Sequence, residues 1–377
     1  MIMELMFKDF LEMVAIPSPS GKEKDICAYL VEKMKNLGFE VKTDKAGETC
    51  KSDGYNIYGL LKGDPAKKGV ILSVHSDTVV PAAVQHPVID GSVIRSDGNS
   101  VLGGDDKAGI AIIFDTIRAL KEQKIGHGDI EVCISISEEV GLLGAKAFDV
   151  SWFKNKEMII FDMTDMDKIG YASVGQKNFS FTIKGKAAHA GLEPEKGINA
   201  IVVAAAIIAK LPNGRIDFET TTSVGTIQGG MATNIVPEFV TFTGELRSHN
   251  KEKLDYYIQQ ILHTAWETIR DFKINDKGTW YYPELQYEIK TRYNPFCLPT
   301  DTPVINDLCK AGEALNRKQT LVKCNGGNDG NVFNEKGISG VVIGIGMNDV
   351  HSVKENIDYN DMKRVRDLMV EFFKLRS

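Results

Sequence analysis

The sequence predicts an α/β protein interrupted by a small α+β domain, and two observations carry that prediction. Helix-like and strand-like segments alternate from the N-terminus to Phe161 and again after Asn294-Pro295, the rhythm of a largely parallel sheet covered by helices. The stretch between reads β-α-β-β-α-β, which fits a ferredoxin-like sandwich of two helices on a four-stranded antiparallel sheet. The chain has 377 residues, enough for two or three domains at roughly 150 residues each. Hydrophobic residues at 43% and charged residues at 25% are ordinary globular values.

In chain order, Phe7–Val14 reads as a helix that stops before Ile16-Pro17-Ser18-Pro19-Ser20, since the residue before a proline is pushed out of the α region. Lys24–Leu37 is a second helix, ended by Gly38. Val70–Val74 is a buried strand by its short β-branched apolar run. Ala108–Leu120 carries apolar residues at 110, 113, 114, 117 and 120, a helical stripe. Ile130–Ile136 and Met158–Phe161 are strands. The inserted part, at roughly 176–292, holds strand Phe179–Lys184, helix Ile198–Lys210, strands Ser223–Gln228 and Glu238–Leu246, helix Lys251–Phe272 and strand Leu285–Lys290. Val304–Leu315, Val341–Ile345 and Asp361–Leu375 then close the α/β part as helix, strand and helix. The predicted organisation is therefore 1–175 with 293–377 as one domain and 176–292 as an insertion.

Composition excludes several classes. Formal charge is −6, without the basic footprint that nucleic-acid binding needs. The six cysteines form no CxxC, so no zinc ribbon or redox pair is written, and their scatter suits a reducing cytoplasm. Met1–Met13 mixes charges among its apolar residues, unlike a signal peptide. The longest apolar run, Ala200–Ala209, is half of the roughly 20 residues a membrane span requires. Phosphate-binding glycine loops, a GxSxG elbow and an HExxH helix are all missing.

What remains is a set of acids and histidines just past the predicted strands: His75-Ser76-Asp77, Gly103-Gly104-Asp105-Asp106-Lys107, Ser137-Glu138-Glu139, Asp162 and His351. In an open α/β sheet, ligands bind beyond the carboxyl ends of the strands. Each cluster alone has an ordinary reading: Asp105 as a helix N-cap, Glu138-Glu139 as a solvated pair, a single histidine as a structural hydrogen-bonder. Together they suggest two divalent ions, which need a shared carboxylate and terminal N or O ligands on each side. On that reading Asp106 is the bridge, His75 and Asp162 complete one site, and Glu139 and His351 the other. Asp77, two residues after His75, would accept the second ring N–H of that histidine. Glu138 would stay off the metal and serve as general base.

His75-Ser-Asp-Thr-Val, Gly-Gly-Asp-Asp106-Lys-Ala-Gly and Ser-Glu138-Glu139, in this order, resemble the co-catalytic dizinc metallopeptidases, the family of peptidase T, carboxypeptidase G and the aminoacylases. Leu-Gly-Gly-Asp-Asp-Lys-Ala-Gly and Gly326-Gly-Asn-Asp329-Gly are most similar to peptidase T. The resemblance spans nearly the whole chain. It implies two Zn2+ per subunit (Co2+ or Mn2+ being compatible with the same ligands), a short peptide as substrate, and an inserted domain that serves as lid and forms a homodimer. It further implies that His189 reaches the partner subunit's site to stabilise an oxyanion, and that Asn234 and Arg247 hold substrate. Asn328 lies in the Asn325–Gly330 run, whose glycines permit a close backbone approach to substrate. The resulting expectation is a cytoplasmic, tripeptidase-like aminopeptidase. The alternatives are an N-acyl amino acid amidohydrolase with the same metals, and a non-catalytic peptide-binding dimer.

Overall fold

The computed structural model describes residues 4–83 and 86–377, so residues 1–3 of the N-terminal segment lie outside it. The chain divides into two compact units, one running to Ser173 and resuming at Phe296, the other Val174–Pro295.

The first unit is built on a nine-stranded mixed sheet. At its centre Val70–His75 lies between Ile130–Ser135 and Glu157–Met163, parallel to both, and Ser339–Gly344 runs parallel to Glu157–Met163 on the far side. Val70–His75 and Ile130–Ser135 are buried at every position, as strands covered on both faces must be. Outside them lie Glu40–Thr43 and Ile57–Leu61 on one flank, and Lys168–Ser173, Phe296–Cys297 and Thr320–Cys324 on the other. Sequence patterning did not mark these flanking strands. They are short and broken by Gly, Ser and Lys, and the pairing partner rather than an apolar period decides them.

Helix Gly104–Glu122 packs on Val70–His75 and Glu157–Met163 and is flanked by helices Leu5–Val14 and Tyr359–Leu375. Its apolar positions Ile110, Ile113, Phe114, Ile117 and Leu120 are all buried in the core, the stripe expected from the spacing. Asp105 and Asp106 have non-helical dihedrals, and regular helix begins only after them.

The second unit is an antiparallel sheet in the order Gly214–Arg215, Thr220–Gly229, Phe239–Ser248, Gly175–Lys184, Glu284–Tyr293. Helices Ala200–Lys210 and Lys251–Ile269 share a separate core with it, around Phe181, Ile207, Phe242 and Ile258. The elements follow the β-α-β-β-α-β order of the sequence, with a short fifth strand at one edge. Asn199 and Asn250 cap the two helices through their side-chain oxygens.

One glycine fixes how the buried helix sits on the sheet. A Cβ on Gly109 would stand 2.4 Å from Asp106 Oδ1, 2.9 Å from Phe161 Cβ and 3.0 Å from Val74 Cγ1. Gly109→Ala is therefore expected to lower stability by about 1–3 kcal/mol through overpacking, despite roughly 1 kcal/mol of gained helix propensity. Urea unfolding checks this; an unchanged or higher midpoint at constant slope would contradict it.

Candidate metal centre

Parallel pairing brings the predicted site residues to one edge of the sheet. His75 ends Val70–His75, Glu138 and Glu139 follow Ile130–Ser135, Asp162 lies near the end of Glu157–Met163, and His351 follows Ser339–Gly344. Asp105, Glu138, Glu139, Asp162 and His351 line one open cleft of about 460 Å³, with Asn325–Asn328 along its far wall.

His75, Asp105 and Glu139 each offer a ligand atom within 4.8 Å of the others. Asp105 lies between the two histidines, with Oδ1 3.0 Å from His75 Nε2 and Oδ2 3.3 Å from His351 Nε2. His351 Nε2 is also 3.0 Å from Glu139 Oε1, yet that oxygen has no partner of acceptable hydrogen-bond geometry. This corrects the sequence reading in one respect: the carboxylate between the histidines belongs to Asp105, not Asp106. Asp105 (φ −80°, ψ 104°) and Asp106 (φ −119°, ψ 25°) are both non-helical and are joined by a cis peptide bond. Asp106 is fully buried beneath the cleft, where its Oδ2 accepts the backbone N–H of His75 at 3.1 Å.

Asp77 is fully buried and does more than orient one ring. His75 Nδ1 donates to the Asp77 carbonyl at 3.0 Å and stands 3.5 Å from its carboxylate. That leaves Nε2 as the nitrogen facing the cleft. The carboxylate itself accepts the backbone N–H groups of Glu138 (2.9 Å) and Glu139 (3.2 Å) and the hydroxyl of Ser20 (2.6 Å). Glu23 extends this support. It is fully buried and accepts the Ser137 N–H at 2.7 Å and the Ser137 hydroxyl at 3.0 Å. Ser137 sits at φ +52°, a conformation that costs energy for a non-glycine and persists where neighbours over-determine it. Three consecutive amides, 137 to 139, are thus held by two buried carboxylates. Sequence reading missed Glu23 because a Glu just before a helix looks like an ordinary first-turn acid.

The electrostatics are those of crowded, desolvated acids. Burial, reinforced by Asp162 and other neighbouring carboxylates, raises Glu138 well above the usual carboxyl range. Burial likewise lifts Asp106, Asp162 and Glu139. Burial would also raise Asp105, but hydrogen bonds from His351 and His75 outweigh it and hold Asp105 low. Burial opposes charge on His75, yet Asp105 and Asp77 prevail and lift its pKa. Asp105 and Glu139 push His351 up to about 10. Under the cleft, burial raises Asp329 to about 6; one of its oxygens takes the Ser135 hydroxyl and the other is buried without a partner.

The remaining predicted residues fall in two places. Asn328 is buried and lines the cleft, and its carboxamide oxygen accepts the Gly330 N–H as the cap of helix Asp329–Glu335. His189, Asn234 and Arg247 belong to the second unit. There the Ala190 N–H donates to the Asn234 carbonyl at 3.0 Å, which places His189 and Asn234 on neighbouring segments. His189 Nδ1 accepts the Gly191 and Leu192 amides, both at 3.2 Å, so in the neutral ring the proton is on Nε2. Arg247 lies on strand Phe239–Ser248, with Nε and Nη2 along one edge of its guanidinium donating to the Glu245 carboxylate at 2.8 and 3.2 Å.

These shifts give a pH dependence to the metal-free chain. A carboxyl raised on folding favours the folded state at low pH, and that contribution is lost as pH rises through the folded value, about 6 for Asp329. His351, raised to about 10, contributes fully below the unfolded imidazole value and progressively less above it. Both act in the same direction, as do the raised Asp106, Glu138 and Asp162, against the buried Lys107, which burial lowers to about 7 and which favours the alkaline side; the chelated protein is therefore expected to melt at a higher temperature near about pH 5.5 than near about pH 8. Scanning calorimetry in chelator tests this; a higher melting temperature at the alkaline end would contradict it.

Comparison with known proteins agrees with this architecture. A peptidase dimerisation domain model matches residues 171–268, and an M42 glutamyl aminopeptidase model matches residues 84–187. An uncharacterised protein of Bacillus subtilis, YqjE, is 34% identical over 366 residues, covering 97% of this chain and 96% of its own. The aminopeptidase PepT of Bacillus cereus superposes with a TM-score of 0.89 at 34% identity, covering 98% of this chain and 97% of its own. A tripeptidase of Staphylococcus aureus superposes with a TM-score of 0.93 at 29% identity, covering 98% and 97%. With a relative of this identity matched over nearly its whole length, and with the inserted domain matched as well, the chain belongs to the peptidase T-like members of the M20 metallopeptidases, hydrolases of peptide bonds.

Proposed function

We propose that the chain is a two-metal aminopeptidase acting on short peptides. The observation that carries this reading is Asp105, whose two carboxylate oxygens each face a different histidine. The donor set fits a pair of divalent cations. Asp105, Glu138, Glu139 and Asp162 crowd one cleft, and the unpartnered Glu139 oxygen wants a cation. On this reading His75 and Asp162 hold one ion, Glu139 and His351 the other, and Asp105 both. Imidazole and carboxylate ligands suit Zn2+, with Co2+ and Mn2+ also compatible. When bound, such ions acidify water and polarise a carbonyl.

Glu138 is the proton carrier. It is 7% exposed, lines the cleft, and its main chain is fixed by Asp77. A pKa raised by burial suits a group that must take a proton from the attacking water and return it to the leaving amine. His189, with its proton on Nε2, has the donor that a tetrahedral oxyanion requires. Arg247 and Asn234 are assigned to substrate, and the Arg247 fork, already occupied by a carboxylate of its own strand, matches a peptide's terminal carboxylate.

Homodimerisation through the inserted domain completes the proposal. Strand Thr220–Gly229 pairs on its outer side only near Thr221 and Thr222, among the described residues, which leaves the rest of an edge open for a second copy. Ile227, Val202 and Phe239 are exposed on the same domain. A cytoplasmic setting is part of the same reading, supported by six cysteines that stand as free thiols. No helix among the described residues is long and apolar enough to cross a membrane.

A release assay on zinc-loaded protein tests the substrate assignment. It compares a free tripeptide, a free dipeptide and their N-acetylated forms, with and without chelator. Preference for the free tripeptide, abolished by chelator, is the expected result; preference for acetylated substrates would move the chain to the deacylases. Glu138→Gln is expected to retain metal and lose roughly 10²–10⁴-fold in kcat. Unchanged turnover would remove Glu138 from its assigned role.

A further inference from the structure

We infer that Glu355, outside every motif singled out in the sequence, is a positioning residue that holds Asp105 in place for metal binding. The inference rests on the reading of Asp105 as the shared ligand.

Glu355 is 1% exposed. Its Oε2 accepts the Gly103 N–H at 2.8 Å and its Oε1 accepts the Asp105 N–H at 3.0 Å. The carboxylate therefore spans the turn that presents Asp105, with one oxygen on the amide of Asp105 itself. Charge-assisted bonds of this kind are the strong ones, and two of them fix both position and orientation. The fit is close: a Cβ on Gly104 would stand 3.1 Å from Glu355 Oε1.

Glu355 is equally tied to the segment that carries His351. Its N–H donates to the Ser352 carbonyl, at 3.1 Å, and its carbonyl accepts the Ser96 N–H at 2.9 Å. Strand Asn356–Asp358, directly after it, pairs with Val93–Arg95. One side chain thus joins two segments 250 residues apart, one supplying Asp105 and the other His351. His351 itself is half exposed and at φ +61°, so the anchorage of its loop comes from these neighbours.

The arrangement makes sense where the position of Asp105 between two nitrogens matters. Glutamine keeps the length but has only one acceptor oxygen, so it can serve one of the two amides and turns its NH2 toward the other.

The test uses the full chain, stripped of metal and reloaded with zinc. Zinc retained after dialysis and zinc affinity are measured for wild type, Glu355→Gln, Gly104→Ala and Asp105→Asn, with melting temperatures of the metal-free and zinc-loaded forms. Glu355→Gln is expected to weaken zinc affinity about 10–100-fold, the usual effect of losing a group that orients a ligand. Its metal-free melting temperature should change little, while the rise on adding zinc shrinks. Gly104→Ala, which crowds the same oxygen without changing charge, should move affinity in the same direction and carries the test if the first variant does not fold. Wild-type zinc affinity in both variants, or equal losses of melting temperature with and without zinc, would overturn the inference. Wild-type zinc binding by Asp105→Asn would instead overturn the shared-ligand reading beneath it.

Discussion

Desolvation of carboxylates at the ends of parallel strands is the constraint on which this molecule turns. Asp105, Glu138, Glu139 and Asp162 line one cleft, with Asp106 and Asp329 buried beneath it. Such groups cannot all ionise against one another in a poorly solvated space, and burial raises most of them. Asp105 is the exception, held low by two imidazoles. The surrounding fold is arranged to tolerate the cluster: some buried acids around the cleft are held by backbone donors, while others, in it and beneath it, keep an oxygen without a hydrogen-bond partner. Glu23, Asp77 and Glu355 belong to the first kind, and Glu139, Asp106 and Asp329 to the second. A pair of divalent cations is the natural counter-charge to what is left.

The same division explains how the site is held rigid. Turns at 103–105 and 137–139 present the cleft residues, and each turn has its amides bonded to a buried carboxylate from a distant part of the chain. Glu23 comes from the N-terminal helix region, Asp77 from the central strand's end, and Glu355 from the C-terminal segment. The sheet places the strand ends together, and these acids set the fine geometry that ligand and proton-carrier positions require.

Much of this order is legible in the sequence because the central strands are fully buried and apolar, and their ends carry the acids and histidines. The inserted unit is legible for a similar reason, since its helices and strands alternate with clear periods. Flanking strands such as Lys168–Ser173 and Thr320–Cys324 were not legible, because pairing and not patterning creates them. Asp105 could not be told from Asp106, since the choice depends on two non-helical residues at the head of a helix. Glu23 and Glu355 were hidden because their function lies in long-range bonds to main-chain amides, which leave no local pattern. The helix-capping bond of Asn328 was also not legible: the glycine-rich turn suggested an approach to ligand, and the residue both lines the cleft and caps a helix.

The most direct test of the central claim is anomalous diffraction at the zinc edge from crystals of the zinc-loaded protein. The account predicts two peaks per chain on either side of the Asp105 carboxylate, one beside His75 and Asp162, the other beside Glu139 and His351. A single peak, or two peaks sharing any carboxylate other than that of Asp105, would contradict it.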